Sequence, residues 1–486
     1  MLPIGWHWWP LQCESGGQMR SQNYLPDVRK QYEDYPFPRV DPGDETWRLQ
    51  VMPQDHLPNI NHMCWGGRRD STKGLRILVA GGGTGHALIY LAEQLRHTDS
   101  EIVYLDLSQA SQKVARERAM IRGLTNIEWR QGSILDLPEM GLEPFDYINC
   151  TGVLHHLESP VKGLKALDSV LAEDGVMGLM VYAKYGRQSY YHVQEMMRQI
   201  NEPDEHPESK IRNTKAAMLA LPQTFFLGHG IHRDKHLEGF FGDHINLYDT
   251  FLHSQDRAYT VPEIYDWVES CGLEMNGFTN FNPTMRERVE YWPELYIQDE
   301  QLLERVLSYP LRKRQAIAEL LSTKIGLHTF YASKRIDTEA QLDDLEQVPF
   351  FTEIFIGGES AFSPFDVREA AAWLRVNPGK TLEITHPNQV TMGIHNTPHA
   401  ASLLVSIDGE RTVGQILERV QQEAQTSWDK PTRATLLDEF GKLYQACSEL
   451  EWMRLRHVSV PAYPSYRDFQ DPVSENYRVA DEAMRG

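Results

Sequence analysis

The sequence is poor in cysteine, in long apolar runs and in basic charge. Its 486 residues include only five cysteines, with no CxxC pair and no spacing that suits a disulfide framework. No apolar stretch approaches the ~18 residues of a membrane span, and the first ten residues lack the basic-then-apolar form of a secretion signal. We therefore expect reduced thiols, no membrane insertion and a cytoplasmic location.

Basic residues are fewer than acidic ones, 48 against 68. The resulting field repels polyanions, and nucleic-acid binding depends on Lys and Arg side chains that neutralise phosphates. We therefore expect no DNA or RNA partner. The densest basic run, residues 68–76, is more simply a solvated loop than a phosphate site.

The most informative segment that is present is RILVAGGGTGHALIYLA, residues 76–92. An apolar strand leads directly into a glycine-rich turn, and a helical pattern begins at once. Glycine is needed where the chain turns sharply and a ligand touches bare backbone. Asp106 closes the next apolar strand, where its carboxylate can accept both hydroxyls of a ribose. The pattern predicts a site for an adenosine-containing cofactor.

The spacing of the glycines narrows the choice of cofactor. The dinucleotide fingerprint GxGxxG needs a small third residue, but that position falls on His86 or Leu88. A phosphate-binding loop needs a lysine after the turn, and none follows. NAD, FAD and ATP are therefore disfavoured.

The strand and GxGxG turn resemble the first motif of class I S-adenosylmethionine-dependent methyltransferases, and the likeness continues through QGSILDLPEM and FDYINCTGVLHHLESP. The resemblance implies an α/β fold with a doubly wound, seven-stranded, mostly parallel Rossmann-like sheet, in which the last strand is antiparallel. It also implies S-adenosyl-L-methionine as the cofactor. The cofactor-binding residues that follow are Ala80, Gly81, Gly82, Gly83, Gly85, Asp106, Leu107, Ser133, Ile134, Cys150 and Thr151.

Two positions depart from the family pattern. Ser133 stands where an acidic residue often contacts the adenine, and Asp136 is the candidate substitute. Ala80 stands where many members carry a carboxylate, so the methionine ammonium would find partners at the backbone carbonyls of Gly81 and Thr151. We expect weaker cofactor binding, not its loss.

Catalysis of methyl transfer needs an in-line arrangement of nucleophile, methyl and sulfur, with removal of a proton when the acceptor is neutral oxygen or a protonated amine. Histidine suits that role because its pKa lies near working pH. His155 and His156 follow the fourth predicted strand, and His155 is the preferred base. A segment similar to the cap region of bacterial family members adds His253 and Tyr259 as candidates.

A second group of histidines, His229, His232 and His236, would share one face of a helix and could hold zinc or iron. Gly228 and Gly230 disfavour a helix there, and no cysteine lies nearby. Exposed or pocket-lining imidazoles are the simpler interpretation, and we predict no metal.

The chain divides into six predicted segments. An aromatic, proline-rich segment either packs on the core or forms a lid. A polar, irregular stretch forms a cap with helices over the substrate, and a DG turn at residues 174–175 precedes the fifth strand. The segments are 1–45, the cofactor-binding core 46–184, the cap 185–259, the end of the core 260–335, a winged-helix-like α+β domain 340–460 and an extended tail 461–486.

The role of the C-terminal domain is open. Its LLVSIDGERTVGQILERV stretch is similar to modules that bind precursor peptides, and a structural or homodimerising role is the alternative. The chain as a whole is interpreted as a methyltransferase acting on an O or N acceptor of a small molecule or peptide. Two alternatives are an oxidoreductase on the same sheet and a catalytically silent cofactor-binding protein that acts through its C-terminal domain.

Overall fold

The computed structural model describes residues 26–202, 204–222, 225, 243–253, 255–279, 291–336, 338–352, 366–385, 391–424, 431–448 and 451–464. Their central feature is a sheet in the order β3-β2-β1-β4-β5-β8-β7, with a two-residue strand, β6, beside β5. The strands are β1 (Arg76–Ala80), β2 (Glu101–Asp106), β3 (Ile127–Gln131), β4 (Phe145–Thr151), β5 (Leu171–Ala183), β6 (Ala258–Tyr259), β7 (Glu274–Phe278) and β8 (Leu327–Ser333).

Among the described strands of this sheet, only β8 runs antiparallel to its neighbours, and it lies between β5 and β7. The remaining pairs in this sheet are parallel. The predicted doubly wound sheet with an inserted antiparallel last strand is confirmed. Because the carboxyl ends of parallel strands meet at one edge, this order places the ends of β1, β2 and β4 side by side.

The described part of the chain up to residue 336 contains eleven α-helices, some of which cover the two faces of the sheet. They are α1 (Pro26–Asp34), α2 (Leu57–Cys64), α3 (His86–Gln94), α4 (Gln109–Ile121), α5 (Pro160–Asp168), α6 (Gln188–Ile200), α7 (Pro207–Ala220), α8 (His244–Phe251), α9 (Val261–Ser270), α10 (Glu300–Leu307) and α11 (Leu311–Ser322). Side chains alternate along a strand, so Ile77 and Val79 of β1 pack with α2 and α3. Leu78 and Ala80 enter the opposite core, with α5 and α9.

Two predicted details differ from the structure. The cap was expected to hold helices within an irregular stretch, and it contains the regular helices α6, α7 and α8. Val193 and Met197 bury there against Leu247 and Phe251 in a small apolar core. The DG pair lies inside β5, not in a turn before it. There the register with β4 shifts, which accommodates the extra residues as a bulge.

The C-terminal residues form a second α+β unit with its own apolar core. Its elements are β9 (Gln347–Phe351), α12 (Val367–Val376), β10 (Thr381–Thr385), β11 (Thr391–His395), α13 (Ala400–Ser406), α14 (Val413–Glu423), α15 (Arg433–Ser448) and β12 (Met453–His457). Strands β10 and β11 pair as an antiparallel hairpin, and β9 pairs antiparallel with β12. The winged-helix assignment stays a prediction.

Buried polar contacts join this unit to α2. Arg454 on β12 donates from Nε to Asn59 Oδ1 at 3.0 Å, and the Tyr444 hydroxyl lies 3.2 Å from His62 Nε2. Leu455 donates its amide to His62 Nδ1 at 3.2 Å. The described helices include none long and apolar enough to span a bilayer.

Candidate active site

The glycine turn between β1 and α3 needs glycine for reasons of space and of backbone conformation. Gly81 has φ +71°, and a Cβ there would lie 2.4 Å from Val153 Cγ2. A Cβ on Gly83 would lie 2.7 Å from the carbonyl oxygen of Phe37. Gly81 also donates its amide to the Leu105 carbonyl at 2.7 Å, which fixes the turn against the end of β2.

Asp106 is oriented by the backbone around it. One carboxylate oxygen accepts the Gly83 amide at 2.8 Å, and the other accepts the Ser108 amide at 2.8 Å. Burial raises the pKa of Asp106 to about 6, although both hydrogen bonds favour the charged form. A fixed carboxylate at the carboxyl end of β2 has the placement needed to accept ribose hydroxyls.

The remaining predicted cofactor residues lie around the same edge. Ser133 begins a short 3-10 turn and accepts the Leu135 amide at 3.2 Å. Thr151 donates to Gln54 Oε1 at 3.3 Å. Cys150 is fully buried in the apolar core, where burial raises the pKa of its thiol. The others are placed by their elements: Ala80 ends β1, Leu107 follows β2, and buried Ile134 follows Ser133.

The N-terminal segment lies directly on this turn. Thr84 donates its amide to Phe37 O at 3.3 Å and its hydroxyl to Pro38 O at 2.8 Å. The carboxylate of Glu33 accepts the first amides of α4, at 2.9 and 3.0 Å, as expected for an anion at a helix N-terminus. These contacts place residues 32–38, called the lid below, against the glycine turn and the first turn of α4.

A cluster of two histidines, Tyr32 and Asp249 adjoins the lid. His156 donates from Nδ1 to the Gln255 carbonyl at 2.9 Å, which leaves the lone pair on Nε2. His253 accepts the Gln255 amide on Nδ1 at 3.0 Å, so its proton is on Nε2. The two rings stack with centroids 3.9 Å apart. One peptide segment therefore fixes opposite tautomers on adjacent imidazoles.

Asp249 and Tyr32 complete the cluster. The Tyr32 hydroxyl donates to Asp249 Oδ1 at 3.3 Å and lies 3.4 Å from His253 Nε2. Burial raises the pKa of Asp249 to about 7 and lowers the pKa of His156 to about 4. His156 is therefore neutral at physiological pH, with a lone pair available to accept a proton.

By distance, this cluster could also hold a metal ion, because ligand atoms of His156, Asp249 and His253 lie within 4.8 Å of one another. The hydrogen bonds argue otherwise. A neutral imidazole that accepts a proton donor on Nδ1 has no lone pair on Nε2 for a metal. The arrangement fits proton transfer better than metal binding. The predicted group His229, His232 and His236 lies outside the described residues.

The other two candidate bases are placed differently. His155 is fully buried, and neither ring nitrogen has a hydrogen-bond partner. Its ring lies 4.0 Å from that of Tyr182, and burial lowers its pKa well below the usual range. Tyr259 stacks on Trp267, with centroids 5.2 Å apart, and belongs to the apolar core of the sheet.

Sequence reasoning named His156 and His253 but not Asp249, and it noted Tyr32 only as one aromatic of the N-terminal segment. A signal for Asp249 was present, since it lies four residues before His253, the spacing that puts two side chains on one face of a helix. No comparable signal links Tyr32 to this cluster, because the two segments are 221 residues apart.

Comparison with known proteins agrees with this geometry. A family model described as a methyltransferase domain matches residues 78–177. The chain is 30% identical over 310 residues to an uncharacterized protein of Synechococcus sp., covering 62% of this chain and 70% of that protein. It is 26% identical over 102 residues to the ubiquinone biosynthesis O-methyltransferase of Acinetobacter baylyi, covering 21% of this chain and 41% of that enzyme.

Among solved structures, the fold is similar to that of PKMT2 from Rickettsia typhi. The TM-score is 0.54 at 14% identity, over 84% of this chain and 76% of that one. The matched methyltransferase domain, the characterised relatives and the sheet order agree with the glycine turn and Asp106. The chain belongs to the class I S-adenosylmethionine-dependent methyltransferases.

Proposed function

We propose that the enzyme transfers the methyl group of S-adenosylmethionine to a protonated oxygen or nitrogen nucleophile on a small molecule or peptide, with His156 as the general base. The observation that supports this most directly is the position of Tyr32. Its carbonyl oxygen accepts the Ser108 hydroxyl at 2.9 Å, next to Asp106. Its own hydroxyl reaches Asp249 and His253. One residue of the lid thus joins the cofactor edge to the histidine cluster.

The predicted cofactor contacts fit the same placement. Val153 packs against Gly81, and the 3-10 turn Leu154–His156 begins at the next residue. His156 therefore follows within three residues of the segment that touches the glycine turn. A nucleophile beside His156 would lie next to the methionine end of a cofactor whose ribose is held by Asp106.

The reaction requires the protein to accept one proton from the methyl acceptor. As the acceptor attacks the methyl carbon, the new bond to carbon forms and the carbon–sulfur bond breaks. The electron pair of the broken bond stays on sulfur, so the sulfonium becomes a neutral thioether. The acceptor proton passes to Nε2 of His156, and the nearby carboxylate of Asp249 stabilises the imidazolium. A positioned base of this kind contributes roughly 10²- to 10⁴-fold.

The test is a pair of matched variants, His156→Gln and His155→Gln. Purified protein is incubated with methyl-labelled S-adenosylmethionine and a size-fractionated extract of the native cell, and the labelled fraction is quantified. We expect His156→Gln to lower transfer by about 10²- to 10⁴-fold while the Kd for S-adenosylhomocysteine stays within about twofold, because His156 is not among the cofactor contacts.

His155→Gln is expected to change transfer far less, because the His155 ring packs on Tyr182 and His156 but neither of its nitrogens makes a hydrogen bond to the cluster. The opposite order of effects would transfer the role of base to His155 and overturn this proposal. Tight binding of S-adenosylhomocysteine by the wild type with no labelled acceptor in any fraction would point to a catalytically silent binding protein.

A further inference from the structure

Arg187 is a buried cation that makes no salt bridge within the part of the chain that the structure describes. It lies between β5 and α6, at the carboxyl edge of the sheet, where open α/β folds bind their ligands. Only 5% of its surface is exposed, and its Nε–H has no hydrogen-bond partner. The carboxylates of Asp249 and Asp256 act on this guanidinium without forming an ion pair with it. Its buried charge is therefore only partly balanced.

Two tyrosines orient the guanidinium. Its central carbon lies 3.7 Å from the ring centroid of Tyr182 and 4.8 Å from that of Tyr190. Stacking on ring faces leaves the N–H edge free, and that edge binds a carboxylate through two parallel hydrogen bonds. The buried Tyr191 hydroxyl lies close enough to Arg187 to interact with its guanidinium. A hydroxyl group and the unpartnered Nε–H of Arg187 therefore lie close together.

This arrangement belongs to the same pocket as the histidine cluster. The Tyr182 ring that stacks on Arg187 also contacts His155, at 4.0 Å between centroids, and His156, at 5.8 Å. A group bound to Arg187 would be held one aromatic ring away from the proposed base. The separation between Arg187 and His156 suits a small molecule or a side chain with a group that binds Arg187 at one end and the nucleophile at the other.

We propose that Arg187 binds a carboxylate on the methyl acceptor, so that the substrate is an organic acid or a carboxylate-bearing peptide group. This inference rests on the proposed function, because it names the acceptor class for the same site. The carboxylate holds the substrate in place. The nucleophile is a separate group of the substrate, and His156 accepts its proton. A monoanion is favoured over a phosphate because Asp249 and Asp256 face the same guanidinium and would repel a dianion.

The test uses the full chain and chemically modified extract. One portion of the extract is treated with carbodiimide and excess methylamine, which converts carboxylates to neutral amides. A second portion receives methylamine alone, and a third receives phosphatase. With methyl-labelled S-adenosylmethionine, we expect label in the amidated extract to fall at least tenfold relative to methylamine alone, and label in the phosphatase-treated extract to stay unchanged.

Equal label after amidation would overturn the inference, and so would loss of label after phosphatase treatment alone. Either result leaves the proposed function intact, because transfer to untreated extract is then still observed. Absence of transfer to any fraction would instead refute the proposed function, and this inference with it.

Two variants separate a binding role from a structural one. Arg187→Met is expected to raise the KM for the labelled fraction at least thirtyfold, with the Kd for S-adenosylhomocysteine within twofold. Its melting temperature should change little, because a buried charge that makes no ion pair is replaced by an apolar chain of similar length. Arg187→Lys keeps the charge without the planar fork and should give an intermediate KM. A lower melting temperature in both variants with an unchanged KM would make Arg187 structural and overturn the inference.

Discussion

The cofactor edge, formed by the glycine turn and Asp106, satisfies its polar groups differently from the proposed acceptor side, formed by the histidine cluster, His155 and Arg187. At the cofactor edge, the Gly81 and Gly83 amides and the Asp106 carboxylate are bonded to one another or to neighbouring backbone. On the acceptor side, both nitrogens of His155 and the Nε of Arg187 are buried without hydrogen-bond partners among the described residues. Since a buried unpartnered polar group costs roughly 1–3 kcal/mol, the acceptor side bears a cost that the cofactor edge avoids.

The difference also lies in how each region is assembled. The turn at 81–85 and Asp106 belong to one βαβ unit, in which local sequence sets the geometry. The histidine cluster brings together Tyr32, His156, Asp249 and His253, with Tyr32 and His253 separated by 221 residues. The cofactor edge is therefore a property of one unit of the fold, whereas the acceptor side exists only once lid, sheet and cap have packed.

The largest expected effect is the difference between alanine substitutions at two glycines of similar backbone conformation. Gly81 has φ +71° and Gly141 has φ +61°, but an added Cβ meets Val153 at 2.4 Å in the first and nothing within 4 Å in the second. We expect Gly141→Ala to lower the free energy of unfolding by about 1–2 kcal/mol and to leave cofactor affinity unchanged. Gly81→Ala should lower the free energy of unfolding by about 1–3 kcal/mol more than Gly141→Ala does.

Gly81→Ala should also weaken S-adenosylhomocysteine binding at least a hundredfold, because displacement of Val153 reshapes the turn that touches the cofactor. Denaturant unfolding and calorimetric titration measure the two quantities. If both variants bind S-adenosylhomocysteine equally well, the turn does not form the cofactor site and the contrast between the two regions is lost.

A smaller effect is expected at Asp106, with Asp55 as the matched control. Both carboxyl groups accept hydrogen bonds, with Asp55 fully buried and Asp106 half-buried. Burial raises the pKa of Asp106 to about 6 and that of Asp55 to about 7. Asp106→Asn removes a charge-assisted contact worth about 1.5–3 kcal/mol, so affinity for S-adenosylhomocysteine should fall about 10- to 100-fold. Asp55→Asn should leave that affinity within twofold.

The pH dependence of cofactor binding follows from the same group. The charged carboxylate is the form that best accepts hydrogen bonds from ribose hydroxyls. The affinity of the wild type for S-adenosylhomocysteine should therefore weaken as pH falls through about 6. The contribution of Asp106 to the stability of the fold changes with pH in the opposite direction. Because the folded pKa of Asp106 is raised above 3.8, its contribution to stability is fully present below that value and is lost as pH rises through about 6. Asp106→Asn should remove both dependences, and an unchanged pH profile of binding would exclude Asp106 from the cofactor contact.

The cofactor edge could be predicted from the sequence because its signals are local. An apolar run, a glycine turn and an acid at the end of the next strand are adjacent in the chain, and the strands of the sheet show continuous apolar patterns such as Ile77 to Val79. The antiparallel placement of β8 followed from the family resemblance and was confirmed. The cap helices were not predicted in detail, because their apolar residues are spaced among tyrosines and glutamines and are recognisable only once α6 packs on α8.

The acceptor side was predicted only in part for the same reason. His156 and His253 could be named as histidines, but their tautomers are set by Gln255, whose role depends on the packed structure. Arg187 carried no signal, since an isolated arginine before a helix is ordinarily a solvated residue. Tyr259 was named from the likeness of a short segment, whereas the structure stacks it on Trp267.

The smallest expected effect concerns the residue that joins the two regions. Tyr32→Phe removes the hydroxyl that donates to Asp249 at 3.3 Å, while the ring and the backbone contact to Ser108 remain. A hydrogen bond of this kind contributes about 0.5–1.5 kcal/mol, so kcat should fall about two- to tenfold with cofactor affinity unchanged. The control is Tyr35→Phe, since the Tyr35 ring stacks on Tyr248 and its hydroxyl makes no hydrogen bond to any residue described.

Tyr35→Phe should leave kcat within the error of the assay. If instead Tyr32→Phe weakens S-adenosylhomocysteine binding and leaves kcat intact, Tyr32 serves the cofactor edge alone. The histidine cluster would then be independent of the lid. If kcat falls and affinity holds, the lid contributes to both regions through separate atoms, its carbonyl to the cofactor edge and its hydroxyl to the base.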